Sequence, residues 1–336
     1  MLPAEPALRR RIVIASILVV VLPFGFLYAF ELGINHVILP LLEALGHGPY
    51  HGRFVISPVF AVLVVFGGLT VQAWFGPRTV VGQLGVYRPR EQQYPDLEPT
   101  VVRLAKQTEI PPPSVRVTRN DAPNAFAVHG PTGGTVVVTT GLLERLSPEE
   151  LEAVLAHELA HLKNRDATVM TIAWLLPTIT YYLAIGTAWL LYGLFRVVGS
   201  SNSSGGNRGA AQVLVILVVT ALLTLAISAL FWAASVLVHR VLSQYREFAA
   251  DRAAVSMTGD PTALATALQT IDEAMPSVPD HDLRRLDGGT EALCIAPLEG
   301  RAFTDAELVS TDIFPDTHPS TDERIDRLQM MVKEVS

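Results

Sequence analysis

The chain has 336 residues, half of them hydrophobic, with a formal net charge of -7 and only 17% charged residues, whereas soluble domains average roughly 25%. Its one cysteine, Cys294, excludes an internal disulfide and a zinc site made of several thiolates. The mild acidity gives no reason to propose a nucleic acid partner. Because the sequence contains neither G-x-x-x-x-G-K-[ST] nor G-x-G-x-x-G, we also expect no bound nucleotide.

Four long apolar stretches contain no Asp, Glu, Lys or Arg, namely Ile12–Phe30, Phe54–Phe75, Ala167–Phe195 and Gly209–His239. Each approaches or exceeds the roughly 20 residues with which an α-helix crosses a bilayer core. Core helices of soluble domains rarely run this long without a charge. The first stretch lacks a small-x-small cleavage site, which disfavours a signal peptide. We therefore predict four transmembrane helices.

Positive charges are unevenly distributed around these stretches. They precede the first and third stretches and follow the second and fourth, at Arg9, Arg10, Arg11, Arg78, Arg88, Arg90, Lys163, Arg165, Arg240, Arg246 and Arg252. The two opposite loops carry only Arg53, Arg196 and Arg208. The positive-inside rule then predicts a multi-pass plasma-membrane protein with both termini and the polar regions in the cytoplasm.

The apolar stretches divide the chain into four expected parts. Residues 1–75 form an N-terminal transmembrane pair, and residues 76–166 form a cytosolic region with a small sheet and a helix. Residues 167–239 form a transmembrane hairpin. Residues 240–336 contain cytosolic helices, a loop or lid at 276–319 and a terminal helix.

Three short strands are predicted in the first cytosolic region, at Ser114–Thr118, Ala125–Val128 and Thr135–Thr139. We expect a small antiparallel sheet. The third strand could be an edge strand that pairs with an extended substrate through Val136 and Val138.

The next helix has a well-marked start. Ser147 occupies the N-cap position, Pro148 the first helical position, and Glu150 follows three residues after the serine, a pattern typical of a capping box. This helix carries His157-Glu158-Leu159-Ala160-His161. Since residues four apart share a helix face, both imidazoles can bind one metal ion. Glu158 is then the expected general base, directed at the attacking water.

A hydrolytic zinc ion usually has three protein ligands and one open position. The residues after His161 do not provide a His-x-x-Gly-x-x-His spacing, so the third ligand must come from elsewhere. Glu247, which begins the charged stretch after the fourth apolar segment, is the better candidate. Asp251 lies one turn further and could hydrogen-bond the imidazole of His157, fixing its tautomer. We therefore expect one Zn²⁺ per chain.

Several short motifs occur together in a fixed order along nearly the whole chain. They are Pro123-Asn124-Ala125-Phe126-Ala127, Thr140-Gly141-Leu142-Leu143, Glu150-Leu151 through His161 with Asn164 and Asp166, Arg246 to Asp251, Thr317-His318-Pro319, and Arg324-Ile325 with Leu328. In this order they resemble the HtpX-type membrane zinc metalloproteases, gluzincin relatives of the CAAX prenyl protease.

The resemblance implies a mainly α membrane protein with a cytosolic α+β zincin-like catalytic domain beside the bilayer. It implies Glu247 as the third ligand and polypeptide substrates, with a role in the quality control of membrane proteins. It also suggests that Asn124 grips the substrate backbone. His318, in the family-like Thr-His-Pro, is our candidate for a second donor to the oxyanion.

The sequence also leaves three other functions open. An intramembrane protease would carry its histidines inside a span, whereas here Ser147–Glu152 forms a capped, acid-rich turn before them. A non-catalytic membrane scaffold is disfavoured by the intact Glu158. A prenyl-protein protease of the same fold family is disfavoured because four spans do not form a large closed chamber.

Overall fold

The structure is a computed structural model that describes residues 6–46, 52–83, 86–89, 93–130, 133–200, 208–274 and 319–335. The described elements, in chain order, are α1 (Pro6–Gly33), a π-helical turn (Ile34–Ile38), α2 (Leu39–Ala44), α3 (Pro58–Gln83), α4 (Leu97–Gln107), β1 (Ser114–Thr118), β2 (Ala125–Gly130), β3 (Gly133–Thr139), α5 (Thr140–Arg145), α6 (Pro148–Asn164), α7 (Asp166–Ala173), α8 (Leu175–Ser200), α9 (Arg208–Thr258), α10 (Pro261–Ala274) and α11 (Thr321–Val335). The described part of the chain is therefore mainly helical with one small sheet.

The chain divides into two compact units. One, the polar unit, contains Met1–Ala15, Val71–Ile172 and His239–Ser336. The other, the apolar unit, contains Ser16–Thr70 and Ala173–Val238. Residues of α9 belong to both units.

Three helical segments of the described residues are long and apolar enough to cross a membrane, namely Arg9–Ala44, Leu175–Gly193 and Ala211–Thr258. Within α3 the described side chains reach only to Val71, and the apolar stretch Pro58–Val71 is shorter than these three segments. The second span therefore stays a prediction. Large apolar side chains, among them Leu230, are about two-thirds exposed on these helices. Such surfaces suit lipid far better than water, and the chain is a membrane protein.

Inside the apolar unit, the helices pack through aromatic rings and a few polar contacts. Phe26 meets Phe231 edge to face, with ring centroids 5.5 Å apart. The side chain of Asn35 forms two hydrogen bonds with the backbone of Phe54. Its Nδ2 donates to the Phe54 carbonyl at 2.7 Å, and its Oδ1 accepts from the Phe54 N–H at 2.8 Å. Glu31 accepts the N–H of Ile56 at 3.1 Å. These bonds satisfy polar groups that would otherwise be costly in an apolar setting.

The sheet has the strand order β1-β3-β2. β2 and β3 form an antiparallel hairpin, whereas β1 pairs with β3 in parallel. The predicted antiparallel sheet is therefore wrong for β1. The chain reverses once between β1 and β2 and again in the hairpin, so β1 and β3 run the same way. Because β1 neighbours β3 and not β2, the ladder between β1 and β3 must be parallel.

β3 is the central strand, not the predicted edge strand. It is paired on both sides, and Val136 and Val138 are fully buried in the core. Their backbone groups already bond to β1 and β2, so an extended substrate cannot pair with them. Tyr87 bridges Val117 on the outer side of β1. Among the described strands, β2 is thus the edge without a further β partner.

The core of the polar unit lies between the sheet and the helices α4, α6, α10 and α11. One buried cluster includes Val136 of β3, Leu159 of α6, Ile271 of α10 and Leu328 of α11. α10 packs against both α6 and α11. This arrangement fixes the orientation of α6, the helix that carries the paired histidines.

Candidate metal centre

The start of α6 is fixed by a complete capping box. The Ser147 side chain accepts the Glu150 N–H at 3.3 Å, and the Glu150 carboxylate accepts the Ser147 N–H at 2.8 Å. Pro148 occupies the first turn, and Arg165 ends the helix in the left-handed conformation with φ 55°. These local signals set where the helix begins and ends, and packing against β2 and α10 turns His157 and Glu158 into the interior.

Two imidazoles converge at the C-terminal half of α6. His157 is fully buried, and the side chain of His161 is 12% exposed. Their Nε2 atoms lie 3.0 Å apart, as expected for residues one helical turn apart on one face.

Glu247 of α9 reaches the same point. Its Oε2 lies 3.3 Å from Nε2 of His157, and its Oε1 lies 3.5 Å from Nε2 of His161. A tetrahedral ion with bonds of about 2.0–2.1 Å separates its ligand atoms by about 3.3–3.4 Å. The three side chains, which form a group able to hold a metal ion, are therefore spaced as such an ion requires.

Each imidazole is held from behind by a carboxylate. Nδ1 of His157 lies 2.9 Å from Oδ1 of Asp251, and Nδ1 of His161 lies 2.6 Å from Oδ2 of Asp166. These contacts favour the tautomer whose Nε2 lone pair faces the other ligands.

Each of these carboxylates also contacts an arginine. Arg246 forms an ion pair with Asp166 at 2.8 Å, and Arg324 bonds Asp251 at 2.6 and 2.9 Å. Burial raises the pKa of Asp166, but the hydrogen bond from His161 and the charge of Arg246 lower it by more, so the net shift is downward. Asp166 is thus held ionised behind His161.

Glu158 differs from the other carboxylates of the cluster. It is fully buried, and neither of its oxygens has a hydrogen-bond partner among the described residues. Burial raises its pKa more than the two imidazoles lower it. A carboxylate in this state fits a site that receives a water molecule and a proton.

The charges of the cluster also fit a divalent cation. Four carboxylates face two guanidinium groups, so the net charge is -2 when every carboxylate is ionised and the imidazoles are neutral; these residues are Glu158, Asp166, Glu247, Asp251, Arg246 and Arg324. Burial lowers the pKa of His157, but hydrogen bonds to Asp251 and Glu247 outweigh it and raise the pKa to about 9. A cation bound at Nε2 would take the place of that proton. The donor set therefore fits a metal ion.

One residue proposed from the sequence, Asn124, does not belong to this cluster. Asn124 is fully buried at the start of β2, where Oδ1 accepts the N–H of Ala125 and the backbone N–H donates to Thr139 Oγ1, both at 2.8 Å. His318 lies outside the described residues, as does the proposed lid at 276–319 apart from Pro319.

Sequence reasoning named Asp166, Arg246 and Arg324 only as parts of the motifs and assigned them no supporting role. For Arg324 a signal was present, because it lies on the same face of α11 as the buried Leu328 and Met331. A charged residue on an apolar helix stripe requires a buried partner. Asp166 directly follows the left-handed residue that ends α6, which turns it back toward His161.

Comparison with known proteins decides the family. The profile of Peptidase family M48 matches residues 91–332. The chain belongs to peptidase family M48. This M48 peptidase is 38% identical over 283 residues to "Protease HtpX homolog 2" of Methanosarcina acetivorans, covering 83% of this chain and 87% of that protein. It is 37% identical over 276 residues to "Protease HtpX homolog 1" of Streptomyces coelicolor, covering 80% and 81%.

Among solved structures, Ste24p of S. mikatae matches with a TM-score of 0.45 and 18% identity, covering 96% of this chain and 66% of that chain. The resemblance to HtpX-type proteases that the sequence motifs predicted is confirmed by the relatives in Methanosarcina and Streptomyces. The M48 peptidase is thus a membrane metalloprotease, and its His157, His161 and Glu247 form a candidate metal centre.

Proposed function

We propose that this M48 peptidase is a zinc-dependent endopeptidase of the plasma membrane that cleaves misfolded or damaged membrane proteins. The observation that carries the proposal is the convergence of His157, His161 and Glu247 beside the buried carboxylate of Glu158. Two imidazoles and one carboxylate are a ligand set typical of catalytic zinc, which keeps one position open for water or substrate.

In the proposed mechanism, the residues of the chain divide the work of peptide hydrolysis. A bound Zn²⁺ would supply a Lewis acid that acidifies water and polarises a carbonyl oxygen. Glu158 takes the proton of the attacking water on its carboxylate and passes it to the leaving amine. The dry surroundings that raise the pKa of Glu158 make it a better proton acceptor than an exposed glutamate. His318 is proposed as a further donor to the oxyanion.

We propose that an extended substrate lies along β2 and not along β3. Two observations support this placement, namely that β2 pairs on one side only among the described strands and that it packs against α6. A peptide that adds to this edge by main-chain hydrogen bonds would run close to the helix that carries the histidines. Asn124, at the start of β2, is the residue proposed to meet the peptide backbone.

The proposal includes the membrane arrangement expected from the sequence. Four spans would flank a cytosolic zincin-like domain, with both termini and the active site in the cytoplasm and with the four parts bounded at residues 75, 166 and 239. The distribution of arginines and lysines around the apolar stretches supports this orientation. Polypeptides and the lipid bilayer are the proposed partners, without nucleic acid or nucleotide.

The test uses the full chain purified in detergent with an unfolded protein substrate. Wild-type protein should digest it, and a chelator should abolish digestion. Glu158→Ala should lower the rate on the order of 10²–10⁴-fold while keeping its zinc, because Glu158 is the base and not a ligand. Glu149→Ala changes an exposed glutamate of the same helix and should cleave at the wild-type rate. Full proteolysis by the Glu158 variant would refute the assignment of the base.

A further inference from the structure

The terminal helix α11 places a buried, positively charged side chain, Arg324, beside the metal-binding residues. The side chain of Arg324 is 2% exposed. Its Nε lies 2.9 Å from Oδ2 of Asp251, and its Nη2 lies 2.6 Å from Oδ1. Its Nη1 lies 3.5 Å from Oε2 of Glu247. One side chain of α11 therefore contacts two carboxylates that belong to α9.

We propose that Arg324 is a positioning residue that orients Glu247 and His157 for the metal ion, so that the centre is complete only when α11 is docked. The inference rests on the proposed metal function. It concerns a residue that would not touch the ion but acts through two side chains that do.

The geometry shows how the guanidinium would act on the imidazole. Oδ1 of Asp251 is shared, since it lies 2.6 Å from Nη2 of Arg324 and 2.9 Å from Nδ1 of His157. Both oxygens of Asp251 are gripped by the planar guanidinium, which fixes the rotation of the carboxylate. A carboxylate with fixed rotation fixes the imidazole plane, and that plane directs Nε2 at the ion.

Charge gives a second reason. Asp251 and Glu247 lie one turn apart on α9 and are both almost fully buried. Without a cation between them, the two carboxylates would repel each other in a site with little water. Glu247 would then turn away from the two imidazoles, and the ligand set would open.

The two imidazoles differ in where their support comes from. His161 is held by Asp166 and Arg246, which lie close in sequence to the ligands themselves. His157 is held by Asp251, and Asp251 is held by Arg324, which is 73 residues further along the chain. Only this second support makes the centre depend on the docking of α11.

Arg327 of the same helix provides a matched control. Its guanidinium lies over the ring of Phe248, 3.7 Å from the centroid, and it pairs with Glu323 at 3.3 Å. Both arginines thus help α11 to pack against α9, but Arg324 is the one that grips Asp251. Loss of Arg327 should remove a contact at the rim of α11 and leave the helix docked with the carboxylates in place.

The experiment measures how fast zinc leaves the full, zinc-loaded chain in detergent when a chromophoric chelator is added. Arg324→Ala should release zinc about 10–100-fold faster than wild type, as for other residues that orient metal ligands. Arg324→Lys should fall between them, because an ammonium is a point charge without the fork of the guanidinium. Arg327→Ala should release zinc at the wild-type rate.

Two further measurements separate positioning from simple packing. Methylguanidinium added at millimolar concentration should slow zinc release from Arg324→Ala and leave Arg327→Ala unchanged. In an Asp251→Asn background, Arg324→Ala should accelerate release by much less than in wild type, because both changes break the same support.

Wild-type release rates in both Arg324 variants would overturn the inference. So would equal acceleration in Arg327→Ala, since packing of α11 would then be the cause. If Arg324→Ala does not fold, the lysine variant alone decides. If the wild-type chain binds no zinc, the proposed metal function itself fails. If the wild-type chain binds zinc and the Arg324 variants release it at the wild-type rate, only the role of Arg324 fails.

Discussion

At the scale of single residues, the candidate centre depends on two carboxylates that bind no ion themselves. Asp166 and Asp251 each face the Nδ1 atom of one imidazole, at 2.6 and 2.9 Å. An imidazole that donates through Nδ1 presents the Nε2 lone pair to the metal and becomes a stronger ligand. Loss of either carboxylate should therefore weaken binding without removing a ligand.

We expect Asp166→Asn and Asp251→Asn each to lower zinc affinity by about 10–100-fold. An amide is neutral and can present its N–H side to Nδ1, so the imidazole loses its fixed tautomer. Competition with a zinc chelator of known affinity measures the change. Asp96→Asn, at an exposed position, is the control. Unchanged zinc affinity in both variants would show that the two carboxylates do not strengthen zinc binding.

The sequence alone predicted part of this site. His157, Glu158 and His161 lie within one helical turn or little more, so their meeting follows from helix geometry. The apolar stripe of α11 carries a signal for the burial of Arg324 but none for its partner Asp251, which lies on another helix and meets it only through the tertiary fold. Long-range ion pairs leave no spacing rule in a single sequence.

At the scale of elements, the helix that carries the histidines is set by local chemistry. Its capping box is visible in the sequence and present in the structure, because N-cap bonds join residues only three positions apart. The order of the strands, in contrast, does not depend on local signals. Whether β1 joins β2 or β3 depends on packing across the whole unit, and the predicted antiparallel sheet was wrong for this reason.

Ser147→Ala should lower the stability of the polar unit by about 1 kcal/mol, because the Glu150 N–H loses its acceptor. Thermal unfolding of the purified chain measures the effect as a lower Tm. Ser256→Ala changes an exposed serine inside α9 and should be neutral or slightly stabilising. Equal Tm values for the Ser147 variant and wild type would show that the cap does not stabilise α6.

At the scale of the whole molecule, the apolar surface decides where the protein resides. Three segments of the described residues qualify as spans, and side chains such as Val59 and Leu63 are about two-thirds exposed on the shorter apolar stretch. Composition predicted these helices well, because span length and charge depend only on local sequence. The side of the membrane on which each loop lies stays a prediction from the positive charges.

Cysteine labelling tests this orientation in a Cys294→Ser background. Gly52→Cys lies in a loop with few positive charges, so a membrane-impermeant maleimide should label it in intact cells. Lys163→Cys lies at an exposed position near the end of α6 and should react only after permeabilisation. Labelling of the Lys163 variant in intact cells would reverse the proposed orientation.

The central claim is that α6 and α9 share one metal ion through His157, His161 and Glu247. Elemental analysis of zinc in Glu247→Ala tests it most directly, with Glu273→Ala, an exposed glutamate of α10, as the control. We predict about one zinc ion per chain for wild type and control, and almost none for the Glu247 variant, since three protein ligands are the usual minimum for catalytic zinc. Zinc content equal to wild type in the Glu247 variant would contradict the claim.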